Sequence, residues 1–120
     1  MLVFAAVASA QQPTQEQAPP EEDESLAPKE YSFNPLQAAK ELKVGNYYFK
    51  KGNYRAAAHR FQEATKWDGT LAEAFLRLGE ASEKQNDRKA AAEAYAKYLE
   101  IAPDAKDASD VKKRLIKNRK

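Results

Sequence analysis

The sequence contains no cysteine and a single histidine, His59, in its 120 residues. The missing cysteines exclude disulfide scaffolds, thiol nucleophiles, zinc-finger sites and iron–sulfur clusters. One histidine is too few for a multi-histidine metal site, and it leaves an acid–base triad without partners. We therefore expect no enzymatic activity and no bound metal or cofactor.

Long apolar runs are also missing. The mean hydropathy is −0.82, and no stretch approaches the roughly 20 apolar residues that a transmembrane helix needs. The length allows one ordinary domain at most. These features predict a soluble, helix-rich module without a transmembrane segment.

Charge is unevenly distributed, although the formal net charge is only +2. Residues 11–34 carry six acids and one base, whereas residues 35–120 carry 19 bases and 12 acids. Residues 106–120 alone carry seven bases and two acids. Charged segments of this kind are usually solvated or meet surfaces of opposite sign.

The first ten residues resemble an export signal. Leu2 to Ala8 is apolar, and Ala8-Ser9-Ala10 has the small residues of a signal-peptidase site. A basic residue before the apolar run is missing, and the segment is shorter than the roughly 15–30 residues of a signal peptide. We predict a short or truncated signal peptide over residues 1–10, and hence a bacterial protein of the periplasm or cell envelope. The alternative is a cytoplasmic chain with an apolar N terminus.

Residues 11–34 form a low-complexity segment rich in Gln, Pro and Glu. Such a segment buries too little apolar surface to offset its backbone entropy, so we predict a disordered acidic linker. Tyr31 and Phe33 interrupt the polar run, which makes the end of the linker a candidate to dock on the domain. A sharper hypothesis makes the linker an acidic clamp on a basic partner or on the chain's own basic end.

From Asn34 onward the apolar residues follow helical periodicity. Asn34 and Pro35 are a typical N-cap and first helical residue, and Thr70 with Glu73 predicts a capping box. No stretch shows the period-two alternation of a strand, so the predicted class is all-α. The predicted helices span 35–50, 54–67, a segment from the capping box to about 84, a segment from the Asn86-Asp87 turn to about 101, and 104–118. Every connection is short, which favours antiparallel hairpins.

An internal 34-residue period links these helices. Equivalent pairs are Val44 and Leu78, Gly45 and Gly79, Ala57 and Ala91, Phe61 and Tyr95, and Gly69 and Pro103. Glycine inside a helix costs about 1 kcal/mol relative to alanine. We therefore predict that Gly45 and Gly79 allow a ring to pack on bare backbone, with Phe61 and Tyr95 as the rings.

A 34-residue period carried by helix–turn–helix pairs resembles the tetratricopeptide repeat (TPR). The repeats would span residues 38–71 and 72–105, with 104–118 as a capping helix. Glu41 and Ser82 depart from the family pattern, which has aromatic residues at these two positions. With the export-like start, the chain also shows a distant similarity to envelope TPR proteins such as the TPR lipoprotein of the outer-membrane β-barrel assembly machinery. It lacks the lipid-acceptor cysteine and the additional repeats of that protein.

In TPR proteins the first helix of each pair lines a concave groove. The resemblance implies that this groove is lined here by Leu42, Asn46, Phe49, Lys50, Arg77, Glu80, Glu83, Lys84 and Arg114. Leu42, Asn46 and Phe49 share one helix face, and two apolar groups beside mixed charges suit an extended or helical peptide. The alternatives are that Tyr31 and Phe33 cover this patch, or that a second copy does.

The predicted function is a non-catalytic protein–protein interaction module. We expect an exported adaptor or scaffold that binds a protein or peptide in its groove. One alternative is a self-associating structural protein, as a homodimer or stacked array, because about three repeats are usually needed for a stable core. The other alternative is a cytosolic scaffold.

The basic C-terminal helix has its own alternatives. Its lysines are explained if the helix is a solvating cap of the repeats, because positive charge is favourable at the negative end of the helix dipole. Nucleic acid is not expected as a partner because no stacking aromatic accompanies the lysines. Peripheral contact with an anionic membrane is a further interpretation.

Overall fold

A computed structural model describes residues 29–120. The predicted signal peptide and residues 11–28 of the predicted linker lie outside the described residues. The described chain forms five α-helices: α1 (Pro35–Lys50), α2 (Tyr54–Trp67), α3 (Ala72–Lys84), α4 (Arg88–Ile101) and α5 (Ala108–Arg119). No strand occurs between residues 29 and 120, and the all-α prediction is confirmed. None of these helices combines the length and the apolar character needed to cross a bilayer.

Side-chain caps begin three of the helices. Asn34, Asn53 and Asp87 each accept a hydrogen bond from the backbone N–H three residues further on, at 3.1–3.2 Å. The residues before the second and third of these caps, Gly52 and Asn86, have left-handed φ values of 79° and 59°. Gly52 and Asn86 occupy equivalent positions of the repeat, so the left-handed conformation recurs at the same point of both hairpin turns.

The predicted capping box of α3 is wrong. α3 begins at Ala72 with Leu71 at the N-cap, and no side chain caps it. Thr70 instead donates from its backbone N–H and its hydroxyl to Oδ1 of Asp68, at 2.9 and 2.6 Å. The Asp68 side chain closes this turn locally, as aspartate often does, and thereby takes up the hydroxyl that would have capped the helix.

The predicted start of the capping helix at residue 104 is also wrong. α5 begins at Ala108, and turns at 103–104 and 106–107 precede it. The hydroxyl of Tyr98 donates to Oδ1 of Asp107 at 2.5 Å. This contact between α4 and the connection holds Asp107 against α4 and delays the helix by one turn.

Each helix packs mainly on the next one along the chain, and α1 also touches α3. At the centre of each hairpin a ring lies on a glycine. A methyl group on Gly45 would sit 2.5 Å from Cε1 of Phe61, and one on Gly79 would sit 2.6 Å from Cδ1 of Tyr95. Both rings are fully buried, so the predicted ring-on-glycine contacts are confirmed.

The segment before α1 docks on α2. The Tyr31 ring lies edge-on to Trp67 at 4.9 Å, and its hydroxyl donates to Oε2 of Glu63 at 2.7 Å. The backbone N–H of Asn34 donates to the carbonyl of Trp67 at 2.9 Å. Folded contacts therefore begin before residue 34, the predicted end of the linker. Since Tyr31 lies on α2 and Phe33 is 72% exposed, the interpretation that these two side chains cover the groove is wrong.

Candidate binding surface across α1, α3 and α5

The predicted binding residues lie on α1, α3 and α5. Leu42, Asn46, Phe49 and Lys50 come from α1, four more come from α3, and Arg114 comes from α5. Side-chain hydrogen bonds join α3 to α1 and to α5. We call the surface that these residues form the α1–α3–α5 face.

One cluster on this face is centred on Arg77. Its Nε donates to Oδ1 of Asn46 at 3.0 Å, and its Nη1 lies 3.4 Å from both carboxylate oxygens of Glu80. Its guanidinium carbon lies 4.2 Å from the centroid of the Phe49 ring, within cation–π range. Three neighbours thus fix the orientation of the guanidinium, and the Arg77 side chain as a whole is still 24% exposed.

The predicted apolar patch of Leu42 and Phe49 is not an open surface. Both side chains are half-buried and pack against the core residues Ala57, Phe61 and Ala81. The Phe49 ring also lies 5.1 Å from Tyr54 and carries Arg77 on one side. The large apolar side chains that residues 29–120 expose are elsewhere: Phe33, Leu36 and Ile116. The α1 part of the face therefore presents mainly polar groups.

A second cluster joins α3, α4 and α5. Asn118 donates from Nδ2 to Oε1 of Glu83 at 3.0 Å, and Arg114 donates from Nη1 to the Tyr95 hydroxyl at 3.5 Å. The pKa of Tyr95 lies well above its usual range, mainly because the phenol is buried and secondly because of its hydrogen bond with Glu83. The hydrogen bond with Tyr95 raises the pKa of Arg114. This cluster therefore combines a permanent cation with a neutral phenol.

Lys50 and Lys84 lie at the edge of the face. Lys50 is exposed at the end of α1, one turn after Asn46. Lys84 is exposed, with Nζ 5.8 Å from the Tyr54 ring centroid. With Arg77 and Arg114 they give the face four bases, against two acids, Glu80 and Glu83. A surface of both signs with an excess of positive charge suits a polypeptide segment that carries carboxylates.

Sequence reasoning missed the polar role of Tyr95 and the contribution of Asn118. Tyr95 was expected only as a core ring. The signal was present, because the equivalent residue of the first repeat is Phe61, and a buried hydroxyl at this position needs a hydrogen-bond partner. Asn118 lies four residues after Arg114 and so shares its helix face.

The histidine lies away from this face. His59 is exposed on α2 and lines an open groove of about 470 Å³ with Tyr48, Asn53, Arg55, Ala56 and Arg60. We call it the α1–α2 groove. Within residues 29–120 no three side chains from His, Cys, Asp and Glu come together as a metal site.

Antiparallel helix pairs that follow one another with a constant repeat length, each with a ring on a helical glycine, define a helical-repeat protein. Residues 48–115, more than half of the chain, match the family model of the tetratricopeptide repeat. The chain belongs to the tetratricopeptide repeat family. A comparison with curated proteins finds no match. Members of this family are generally non-catalytic modules that bind proteins or peptides.

Proposed function

We propose that this protein is a non-catalytic adaptor that binds a segment of another protein on its α1–α3–α5 face. The observation that carries the proposal is the state of Arg77. Its guanidinium is held by Asn46, Phe49 and Glu80, and its side chain is still partly exposed, at 24%. A prepositioned cation loses little side-chain entropy when it binds a carboxylate.

The spacing of charges favours an extended ligand over a compact one. Arg77 and Lys84 are seven residues apart on one side of α3, so about 10 Å of helix separates their Cα atoms. Arg114 adds a third cation from α5, beside Glu83 and Asn118. An extended segment with two carboxylates and an intervening polar residue would meet these groups in turn.

Site-specific photo-cross-linking tests this proposal. A photoreactive amino acid replaces Glu73, exposed on α3 one turn before Arg77, in one variant and Glu93, exposed on α4, in the other. We expect a discrete cross-linked partner from position 73 alone. Lys84→Glu should abolish it, whereas the matched charge reversal Lys89→Glu on α4 should leave it intact. Equal cross-linking from both positions, or insensitivity to Lys84→Glu, would contradict binding at this face.

Self-association is the competing function, and the same experiment identifies it. A cross-linked product of twice the monomer mass from position 73 would mean that a second copy occupies the face. The contacts favour a different partner, because Leu42 and Phe49, the apolar groups on which self-association depended, are half-buried and partly covered by Arg77.

We further propose that the adaptor works in the bacterial periplasm or cell envelope, the setting of the β-barrel assembly TPR lipoprotein. The support is the apolar start with its Ala8-Ser9-Ala10 pattern. Mass spectrometry of the protein from fractionated cells should find a chain that begins at Gln11 in the envelope fraction. A cytoplasmic chain that retains residues 1–10 would instead assign it to a cytosolic scaffold.

A further inference from the structure

The exposed charge of the first hairpin has one sign. Residues 35–67 contain seven bases and two acids. The two acids, Glu41 and Glu63, are only 3% and 5% exposed. Six of the bases are exposed: Lys40, Lys43, Lys50, Lys51, Arg55 and Lys66. The second hairpin, residues 72–101, has five bases and six acids, so of the two hairpins only the first carries this excess of positive charge.

The α1–α2 groove lies within this field and is lined without an acid. Its counterpart in the second hairpin, one repeat later, includes Ser82, Asp87, Ala90, Glu93 and Ala94. There the side chains of the preceding helix, Ala58, Gln62 and Thr65 of α2, form the opposite wall. Among residues 29–120 no helix precedes the first hairpin, so no helix supplies that wall to the α1–α2 groove.

The segment before α1 runs toward this groove. Asn34 bonds to Trp67 at the end of α2, and Tyr31 and Lys29 contact Glu63 one turn earlier, at 2.7 and 3.6 Å. From residue 34 back to residue 29, the segment therefore lies along α2, in the direction from the end of that helix to its beginning. The groove residue His59 lies one further turn along α2, four residues before Glu63.

The next acidic stretch is within reach of the groove. Glu24 and Glu21 precede Lys29 by five and eight residues, which span roughly 17 to 26 Å when extended. The helix rises only about 12 Å between Glu63 and Arg55. Four consecutive acids can thus lie beside a groove that carries Arg55 and no acid.

We propose that residues 21–24 of this chain, Glu-Glu-Asp-Glu, dock in the α1–α2 groove of the same molecule. The carboxylates pair with Arg55 and the surrounding exposed lysines, and the segment supplies the wall that α2 gives to the second hairpin. Attachment at Tyr31 makes the local concentration of the acids very high, in the millimolar range for a short tether. An external acidic partner would have to compete with it.

Paramagnetic relaxation tests the docking in the full chain. The sequence has no cysteine, so Ser25→Cys gives a single site for a nitroxide. We expect the amide signals of Arg55 and His59 to broaden strongly. The matched positions of the second repeat, Lys89 and Glu93, should broaden little.

Charge removal separates docking from simple tethering. In a variant in which the four acids become Gln or Asn, the broadening at Arg55 should fall severalfold. The same loss should follow in about 1 M salt, where the screening length is about 3 Å. The proposal would be overturned if the Arg55 signal did not broaden, or if the broadening survived neutralisation of the four acids. It would also be overturned if broadening appeared only when nitroxide-labelled and isotope-labelled chains are mixed, because the segment would then lie on a second copy.

Discussion

The two hairpins of this protein use the same packing contact and surround it with different chemistry. Gly45 lies under Phe61 in the first, and Gly79 lies under Tyr95 in the second. Four residues before the glycine, however, the first hairpin has Glu41 and the second has Phe75. Glu41 is 3% exposed and accepts hydrogen bonds from Arg60 at 3.3 Å and Gln37 at 3.1 Å.

The difference teaches which positions the repeat geometry determines. The ring needs a glycine beneath it in both hairpins, because a methyl group would overlap it. The position one turn before the glycine depends on what precedes the hairpin. Phe75 lines a crevice with Ala58 and Thr65 of α2, so it meets apolar and small groups. Among residues 29–120 no helix stands before the first hairpin, and an ion pair occupies the equivalent place.

Among the changes that test this comparison, breaking the ion pair between Glu41 and Arg60 should lower the free energy of unfolding most. Arg60→Ala would take the guanidinium away from the buried Glu41 carboxylate. Removing one partner of a buried pair typically destabilises by about 3–5 kcal/mol. Urea unfolding followed by circular dichroism would measure this loss in the free energy of unfolding.

The matched double variant sharpens the result. Glu41→Phe with Arg60→Ala transfers the residues of the second hairpin, Phe75 and Ala94, into the first. Well-packed apolar replacements of buried ion pairs are often neutral or stabilising by about 1–4 kcal/mol. A double variant as unstable as Arg60→Ala would show that the two hairpins are not interchangeable at this position.

The ring-on-glycine contact should respond equally in both hairpins. Gly79→Ala and Gly45→Ala each force a buried ring to move, and overpacking of this kind costs about 1–3 kcal/mol. Gly69→Ala is the control, because its nearest neighbour would be the carbonyl oxygen of Thr65 at 3.9 Å. Its unfolding free energy should change by less than about 1 kcal/mol.

A second-site change identifies the cause. In a Tyr95→Leu background the smaller side chain leaves room for the methyl group, so Gly79→Ala should destabilise less than it does in the native chain. If Gly45→Ala is tolerated while Gly79→Ala is not, the equivalence of the two contacts is wrong.

The features that follow from local sequence were predictable. The bounds of α1 and α2 depend on caps and periodicity within a few residues, and the ring-on-glycine contacts depend on a spacing that the two repeats share. Both are confirmed by the structure. Helix starts that depend on competing contacts were not predictable, because Asp68 takes the Thr70 hydroxyl and Tyr98 holds Asp107.

The candidate site shows the same limit. That Asn46, Arg77 and Glu80 share one side of the stack follows from the repeat, and the structure bonds them together. How far Phe49 is covered could not be predicted, because it depends on a guanidinium from a different helix settling over the ring. The place of Tyr31 in the polar run indicates that it docks on the domain, but its partner Trp67 could not be predicted, because no period relates the two segments.

Alkaline pH should distinguish the hairpins by a smaller effect. Position 98 of the second hairpin is a tyrosine, and its equivalent in the first is Ala64; both side chains are buried. The hydrogen bond with Asp107, assisted by burial, raises the pKa of Tyr98 to about 12. In the unfolded chain the value is about 10. The folded state holds the proton more tightly, so this contribution to stability is complete below pH 10 and is lost as pH rises toward 12.

The expected loss is about 1 kcal/mol for this group by pH 11. Burial acts on Tyr95 in the same direction, so both tyrosines of α4 contribute to the decline with pH. Urea midpoints at pH 8, 10 and 11 would measure it. Tyr98→Phe should be less stable than the native chain at pH 8, because Asp107 loses its donor, and should decline less steeply above pH 10. An unchanged slope in that variant would mean that the hydrogen bond between Tyr98 and Asp107 does not hold the second hairpin to α5.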